Sequence, residues 1–167
     1  MDARDVERLT RAVADRAAAL ALYARQWLDA AAAEDVVQEA LIGLLAQRQP
    51  PERPVAWMFR AVRNAAIDET RARARRRRRE QAVAQTRSEW FESRPDALLD
   101  ARTAEAALAE LSCEYRQVVV MRIWGQLRFG EIADVLELSA STVHARYGAA
   151  LRQLRQILEK SCKNETK

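Results

Sequence analysis

The sequence predicts an all-α protein built as two small helical domains joined by a flexible linker. Three observations predict it. Apolar residues recur at helical spacing through most of the chain, and no stretch alternates apolar with polar as a strand would. Helix breakers are scarce, with 4 Gly and 4 Pro in 167 residues. The periodicity lapses over 81–100, where Ser88, Ser93, Pro95 and an acidic excess read as a tether.

Taken in order, Leu9, Val13, Leu20 and Trp27 follow the 3.6-residue period and predict one or two amphipathic helices at the start. The next helix is expected from about Glu34 to Gln47, with Val37, Ala40, Leu41 and Leu44 on its apolar face. Pro50, Pro51 and Pro54 end it and force an extended connection. A third helix is expected from near Val55 into the run Arg75 to Arg79, with Val55, Phe59, Val62 and Ala66 as its buried stripe. Beyond the tether, helices are expected at about Ala101–Leu111, Glu114–Trp124, Gly130–Leu136 and Ser141–Leu158. The predicted boundaries are a first domain over 1–80, a linker over 81–100, a second domain over 101–160 and a tail over 161–167.

Charge narrows the function classes. Residues 1–59 sum to −2, 60–80 to +6, 81–110 to −3 and 111–167 to +3, for a total of +4. Two basic regions suit a polyanion, and the acidic stretch between them would be repelled by phosphates. Two cysteines and a single histidine, His144, leave no disulfide framework and no Cys/His zinc site. Carboxylates are plentiful and catalysis by paired acids stays open on this count, but no spacing singles out a pair, and no catalytic residue, metal or cofactor is assigned. The longest uncharged stretch near the start, Ala17 to Ala24, is too short to span a membrane or to act as a usual secretory signal. A cytoplasmic protein without membrane insertion is the expectation.

The last quarter of the chain predicts a helix-turn-helix. Ile132 and Ala133, Leu138 and Val143 carry the apolar spacing that packs two helices around a tight turn, and Ser139 is placed to cap the second. On that last helix Val143, Tyr147, Ala150, Leu154 and Ile157 share one face. The opposite face then presents Ser141, Ala145, Gly148 and Arg152, flanked by His144 and Arg155. Small residues there allow close approach to a groove wall, and His144 reads as an exposed hydrogen-bonding side chain beside DNA.

Two further faces carry chemistry. Opposite the stripe of the third helix lie Trp57, Arg60, Asn64, Asp68 and Arg71, an aromatic ring among cations and an amide, as unstacked bases require. A neighbouring helix covering Trp57 is the competing reading of that residue. On the second helix Asp35, Gln38 and Glu39 surround Ile42, an acidic patch suited to a protein partner with basic residues.

The strings Glu34-Asp35-Val36-Val37-Gln38-Glu39-Ala40 and Trp57 to Asp68, running into the arginine-rich segment, resemble region 2 of bacterial RNA polymerase sigma factors of the extracytoplasmic-function (ECF) group. The string Tyr115 to Arg122, with Phe129-Gly130-Glu131-Ile132-Ala133 and Ser141-Thr142-Val143, resembles region 4 of the same group. The resemblance implies core RNA polymerase and promoter DNA as partners, and allows an anti-sigma protein as another. It implies that Asp35, Gln38, Glu39 and Ile42 grip the clamp helices of the largest polymerase subunit. It puts Asn64 on the non-template strand of the minus-ten element, with Trp57, Arg60, Arg63 and Arg71 beside it. It sets Ser141, Thr142, His144, Ala145, Arg146, Gly148 and Arg152 against the major groove of the minus-thirty-five element, while the rest of that domain rests on the polymerase flap.

This chain departs from the family pattern in places. The short proline-rich connection from Arg48 to Pro54 lacks a glycine- and aspartate-containing base-capture loop, and Arg128 stands where a small hydroxyl residue is common. Ser112-Cys113 replaces the usual Leu-Pro approach. Two other functions compete. A stand-alone helix-turn-helix regulator leaves the Asp35 and Asn64 faces without a role, and a basic RNA-binding adaptor would be indifferent to promoter sequence.

Overall fold

The computed structural model describes residues 3–79 and 106–165, and every regular element among them is a helix. The chain divides into two units, Met1–Trp90 and Phe91–Lys167, each with its own core. The linker expected over 81–100 and the helix start expected at Ala101 lie outside the described residues.

The first unit packs α1 (Ala3–Ala14), α2 (Ala17–Ala24), α3 (Ala30–Leu45) and α4 (Pro54–Arg79), with α4 against each of the other three. Leu9 and Val13, Leu20 and Tyr23, and Met58, Phe59, Val62 and Ala66 bury fully at their meeting point. Tyr23 is the aromatic centre: its ring lies edge-on to Phe59 at 5.2 Å and to Trp27 at 5.3 Å. Pro54 opens α4 at the first helical position, where its missing N–H costs nothing and its fixed φ suits the helix.

Two expectations about α3 are corrected. The helix begins at Ala30, not near Glu34, because the Asp29 carboxylate accepts from Ala32 N at 2.9 Å and caps it. The four alanines that follow are strong helix formers but carry no periodic signal. The buried stripe is Ala33, Val36, Ala40 and Leu44, with Val37 and Leu41 only half-buried, so the helix is rotated from the expected face.

The stripe of α4 stops at Ala66, yet the helix continues to Arg79, roughly 20 Å further at 1.5 Å per residue. An ion-pair network ties the extension down. Arg73 Nη1 lies 2.7 Å from Asp29 Oδ2, its Nε lies 2.9 Å from Glu69 Oε1, and Arg76 Nη2 shares that carboxylate at 2.8 Å.

The second unit contains a helical turn at 106–110, α5 (Cys113–Ile123), α6 (Phe129–Leu136) and α7 (Ala140–Glu165). Leu108, Leu111, Val118, Val119, Met121, Ile132 and Val143 form its centre. Arg116 closes the first turn by donating to the carbonyls of Leu108, Ala109 and Leu111 at 2.7 to 2.8 Å, acceptors at a helix end. Desolvation from this half-buried position lowers its pKa from the ordinary arginine value. Ser112 caps α5 through Tyr115 N at 3.4 Å. Glu131 accepts from Arg128 N at 2.7 Å, supplying one half of a capping box although Arg128 carries no hydroxyl.

The last helix runs to Glu165, past the end expected at Leu158 and through part of the expected tail, because no Gly or Pro follows Leu158 to stop it. Among the described residues no helix is long and apolar enough to cross a membrane.

Candidate nucleic-acid and protein interfaces

On α3 the rotation that buries Ala33, Val36, Ala40 and Leu44 turns Asp35, Gln38, Glu39 and Ile42 outward. All four are exposed, and Ile42 is 68% accessible, the largest value among the exposed large hydrophobic side chains. Asp35 and Glu39 also line a groove between α3 and α4, together with Ala32, Ala65, Asp68 and Ala72. An aliphatic side chain held out of the core among carboxylates fits a protein surface better than a phosphate backbone.

Along α4, Arg60, Asn64, Asp68, Arg71, Arg75 and Arg79 are exposed and recur every three or four residues, so they form one continuous line. Arg71 Nη1 and Asp68 Oδ1 are 3.5 Å apart at the surface. Arg73 and Arg76 belong to the other side of the helix, committed to Asp29 and Glu69. Their partners respond: the Ala32 amide and then the Arg73 guanidinium lower the Asp29 pKa, while Arg73 followed by Arg76 lowers that of Glu69. The Asp29 hydrogen bond in turn raises the Arg73 pKa.

Two expected members of this face are not on the open line. Trp57 is half-buried, and a methyl built on Gly43 would sit 3.6 Å from its Cη2, so the indole lies against the backbone of α3. The covered reading of Trp57 is the one the packing favours. Arg63 is one residue from Asn64 and therefore about 100° around the helix. It is half-buried, with its Nε sequestered and unpartnered.

In the second unit α6 and α7 meet through Ile132, Ala133 and Val143, all buried. The turn between them passes through Glu137 in the left-handed region, φ 57° and ψ 43°. Ser139 Oγ accepts from Thr142 N at 3.1 Å, the expected cap, and bonds the hydroxyls of Ser141 at 2.8 Å and Thr142 at 2.7 Å. Ser141, His144, Ala145 and Arg152 are exposed on α7, and Thr142 and Gly148 are half-buried beside them.

Arg146 departs from the expected DNA face. Its Nη2 pairs with Glu114 Oε2 at 3.0 Å, and its side chain keeps only 25% of its accessibility, because residue 146 lies on the side of α7 that packs on α5. The sequence reasoning also missed Phe129. Its ring meets the His144 imidazole edge-on at 5.2 Å and Tyr147 at 5.4 Å, with Arg122 4.9 Å over its face.

Comparison with known proteins matches these two units in turn. Residues 8–77 match the family model for sigma-70 region 2, and residues 101–154 match that for sigma-70, region 4. An ECF RNA polymerase sigma factor, SigL of Mycobacterium tuberculosis, is 40% identical over 163 residues, spanning 90% of this chain and 89% of its own. Among solved structures, the sigma factor RpoE of Bartonella quintana, in complex with the anti-sigma factor NepR, aligns with a TM-score of 0.66 at 22% identity. That alignment covers 92% of this chain and 94% of RpoE. CnrH, in complex with the cytosolic domain of CnrY, aligns with a TM-score of 0.60 at 28% identity, over 95% of this chain and 94% of its own. Two region matches in order on two separate units, together with a relative of nearly equal span, identify the lineage: the chain belongs to the ECF group of the sigma-70 family of RNA polymerase sigma factors.

Proposed function

We propose that this sigma factor recruits core RNA polymerase through α3 and recognises its promoter at two places, one with α4 and one with α7. The observation that carries the reading is the order of the two matches, region 2 over 8–77 and region 4 over 101–154, each on a unit with its own exposed chemical face. Asp35, Gln38, Glu39 and Ile42 form the polymerase contact, an acidic rim around one aliphatic anchor. Asn64 reads an unstacked base of the minus-ten element, and Arg60, Arg71 and Arg75 follow its phosphates. Ser141, His144, Ala145, Gly148 and Arg152 face the duplex of the minus-thirty-five element.

The factor works by binding, not by catalysis. Unstacking a base costs a few kcal/mol, more than one small basic surface supplies, so the energy for opening comes from the assembled polymerase. Two weak promoter contacts act together because both units are carried on one partner, which converts the second contact into an intramolecular one. The work is cytoplasmic, where polymerase and template are. CnrH binds the cytosolic domain of CnrY and RpoE binds the anti-sigma factor NepR, which supports a second protein partner for this chain, of the anti-sigma class.

Run-off transcription with purified core polymerase tests this reading. Adding the chain is expected to give discrete transcripts from a subset of candidate promoters. Tight binding to a palindromic duplex without polymerase, and no transcripts with it, would favour a stand-alone helix-turn-helix regulator instead.

A further inference from the structure

We propose that His144 sets base choice in the duplex element read by α7, and that Phe129 is the positioning residue that holds its imidazole for that purpose. This rests on the promoter reading above and names the base that α7 recognises.

The hydroxyls of Ser141 and Thr142 are engaged with Ser139 at 2.8 and 2.7 Å, and the Arg146 guanidinium is engaged with Glu114 at 3.0 Å. Ala145 and Gly148 offer no polar atom beyond the backbone. Arg152 stands eight residues on, about 12 Å along the axis, and so meets a different stretch of the groove. His144 is exposed, and among the described residues its ring makes an aromatic contact but no hydrogen bond. Of the exposed polar side chains in the first two turns, it is the one that holds no hydrogen bond among the described residues.

Its orientation is not free. Phe129, the first residue of α6, is half-buried, with Arg122 4.9 Å over its ring and Tyr147 5.4 Å away. The imidazole meets this fixed ring at 77° and 5.2 Å, the edge-to-face arrangement that aromatic quadrupoles favour. An aliphatic side chain at 129 would fill space without imposing that angle. An imidazole N–H on a ring held in this way fits guanine, which presents two adjacent acceptors, N7 and O6, in the major groove. Adenine presents a donor beside its N7 and fits less well. The small residues that follow let the helix come close enough for this one contact to count.

The test uses core polymerase loaded with the full chain, in competition against promoter duplexes randomised over the upstream element and scored at each base pair. The parent is expected to prefer guanine at one position. His144→Ala should lower that preference about ten-fold and leave the other positions unchanged, the effect of one hydrogen bond. Phe129→Leu should weaken preference several-fold at the same position, and Phe129→Tyr should keep it. Thermal melting of each variant separates misfolding from misaimed readout, and His144→Ala with Phe129→Tyr decides the matter if Phe129→Leu fails to fold. An unchanged profile for His144→Ala, or an equal loss at every position, would overturn the proposal. A parent profile with no preference at all would overturn the promoter reading as well.

Discussion

Arg73 reaches from the sixth turn of α4 to the carboxylate that caps α3, placing its Nη1 2.7 Å from Asp29 Oδ2. One aspartate therefore starts one helix and anchors the extension of another. The contact lies beyond the last fully buried residue of α4, Ala66, so polar pairing takes over where apolar burial ends.

Removing the Asp29 side chain by Asp29→Ala should destabilise the protein by about 1 kcal/mol, the usual cost of losing a cap. Asp29→Asn keeps an acceptor for Ala32 N and removes only the charge, so it should cost less. The Asp29 pKa is lowered in the fold, so its charged form adds stability above its ordinary value of 3.8, and this is lost as pH falls through the lower, folded value. Parent and Asp29→Asn melting temperatures should therefore differ at neutral pH and converge in acid.

The arginines of α4 divide into two sets. Arg73 and Arg76 hold the helix to its own unit, whereas Arg75 and Arg79 stand on the line that begins at Arg60 and Asn64. Arg75→Gln with Arg79→Gln should lower the slope of log affinity against log salt by between about 1 and 2, one counterion per lost phosphate contact. Arg73→Gln with Arg76→Gln should leave that slope close to parent and lower the melting temperature. DNA binding by the holoenzyme at several salt concentrations, beside thermal melting, checks both halves.

Glu114 holds Arg146 away from the expected DNA face. Their 3.0 Å pair is partly exposed, with 63% of the Glu114 side chain accessible, so its loss should change stability by less than about 1 kcal/mol. Glu114→Gln frees a cation on α7, and non-specific duplex affinity should rise with a steeper salt dependence. Fluorescence anisotropy with a promoter-free duplex reads this directly.

Glu137 holds φ at 57°, a left-handed conformation that costs a side-chain-bearing residue about 1 to 2 kcal/mol. It also puts a negative charge at the C-terminal end of α6, against the helix dipole. Glu137→Gly relieves both and returns part of the gain as unfolded-chain entropy. The expected net is a stabilisation of about 0.5 to 1 kcal/mol, measured as a higher urea midpoint.

The helices were legible wherever large apolar residues kept the 3.6-residue period, as at Phe59, Val62 and Ala66 or at Ile132 and Val143. The start of α3 was not, since alanines favour a helix without marking a face, and the deciding event is the Asp29 cap. The outward face of α3 was legible from the spacing of Asp35, Gln38, Glu39 and Ile42, and Ala40 and Leu44 bury as expected, but Ala33 and Val36 take the places expected of Val37 and Leu41. Trp57 and Arg146 could not be settled from spacing because each depends on a neighbour distant in sequence, Gly43 and Glu114. Phe129 escaped notice for the same reason. An apolar residue at a helix start reads as core until the ring it meets, His144, is seen beside it.

The central claim is that the acidic face of α3 docks this chain on core RNA polymerase. Co-purification of core enzyme with the full chain, compared with the Asp35→Lys, Glu39→Lys double variant, tests it most directly. The account predicts stoichiometric association for the parent, at least a ten-fold weaker association for the variant, and the same melting temperature for both. Equal association of parent and variant with core enzyme would contradict it.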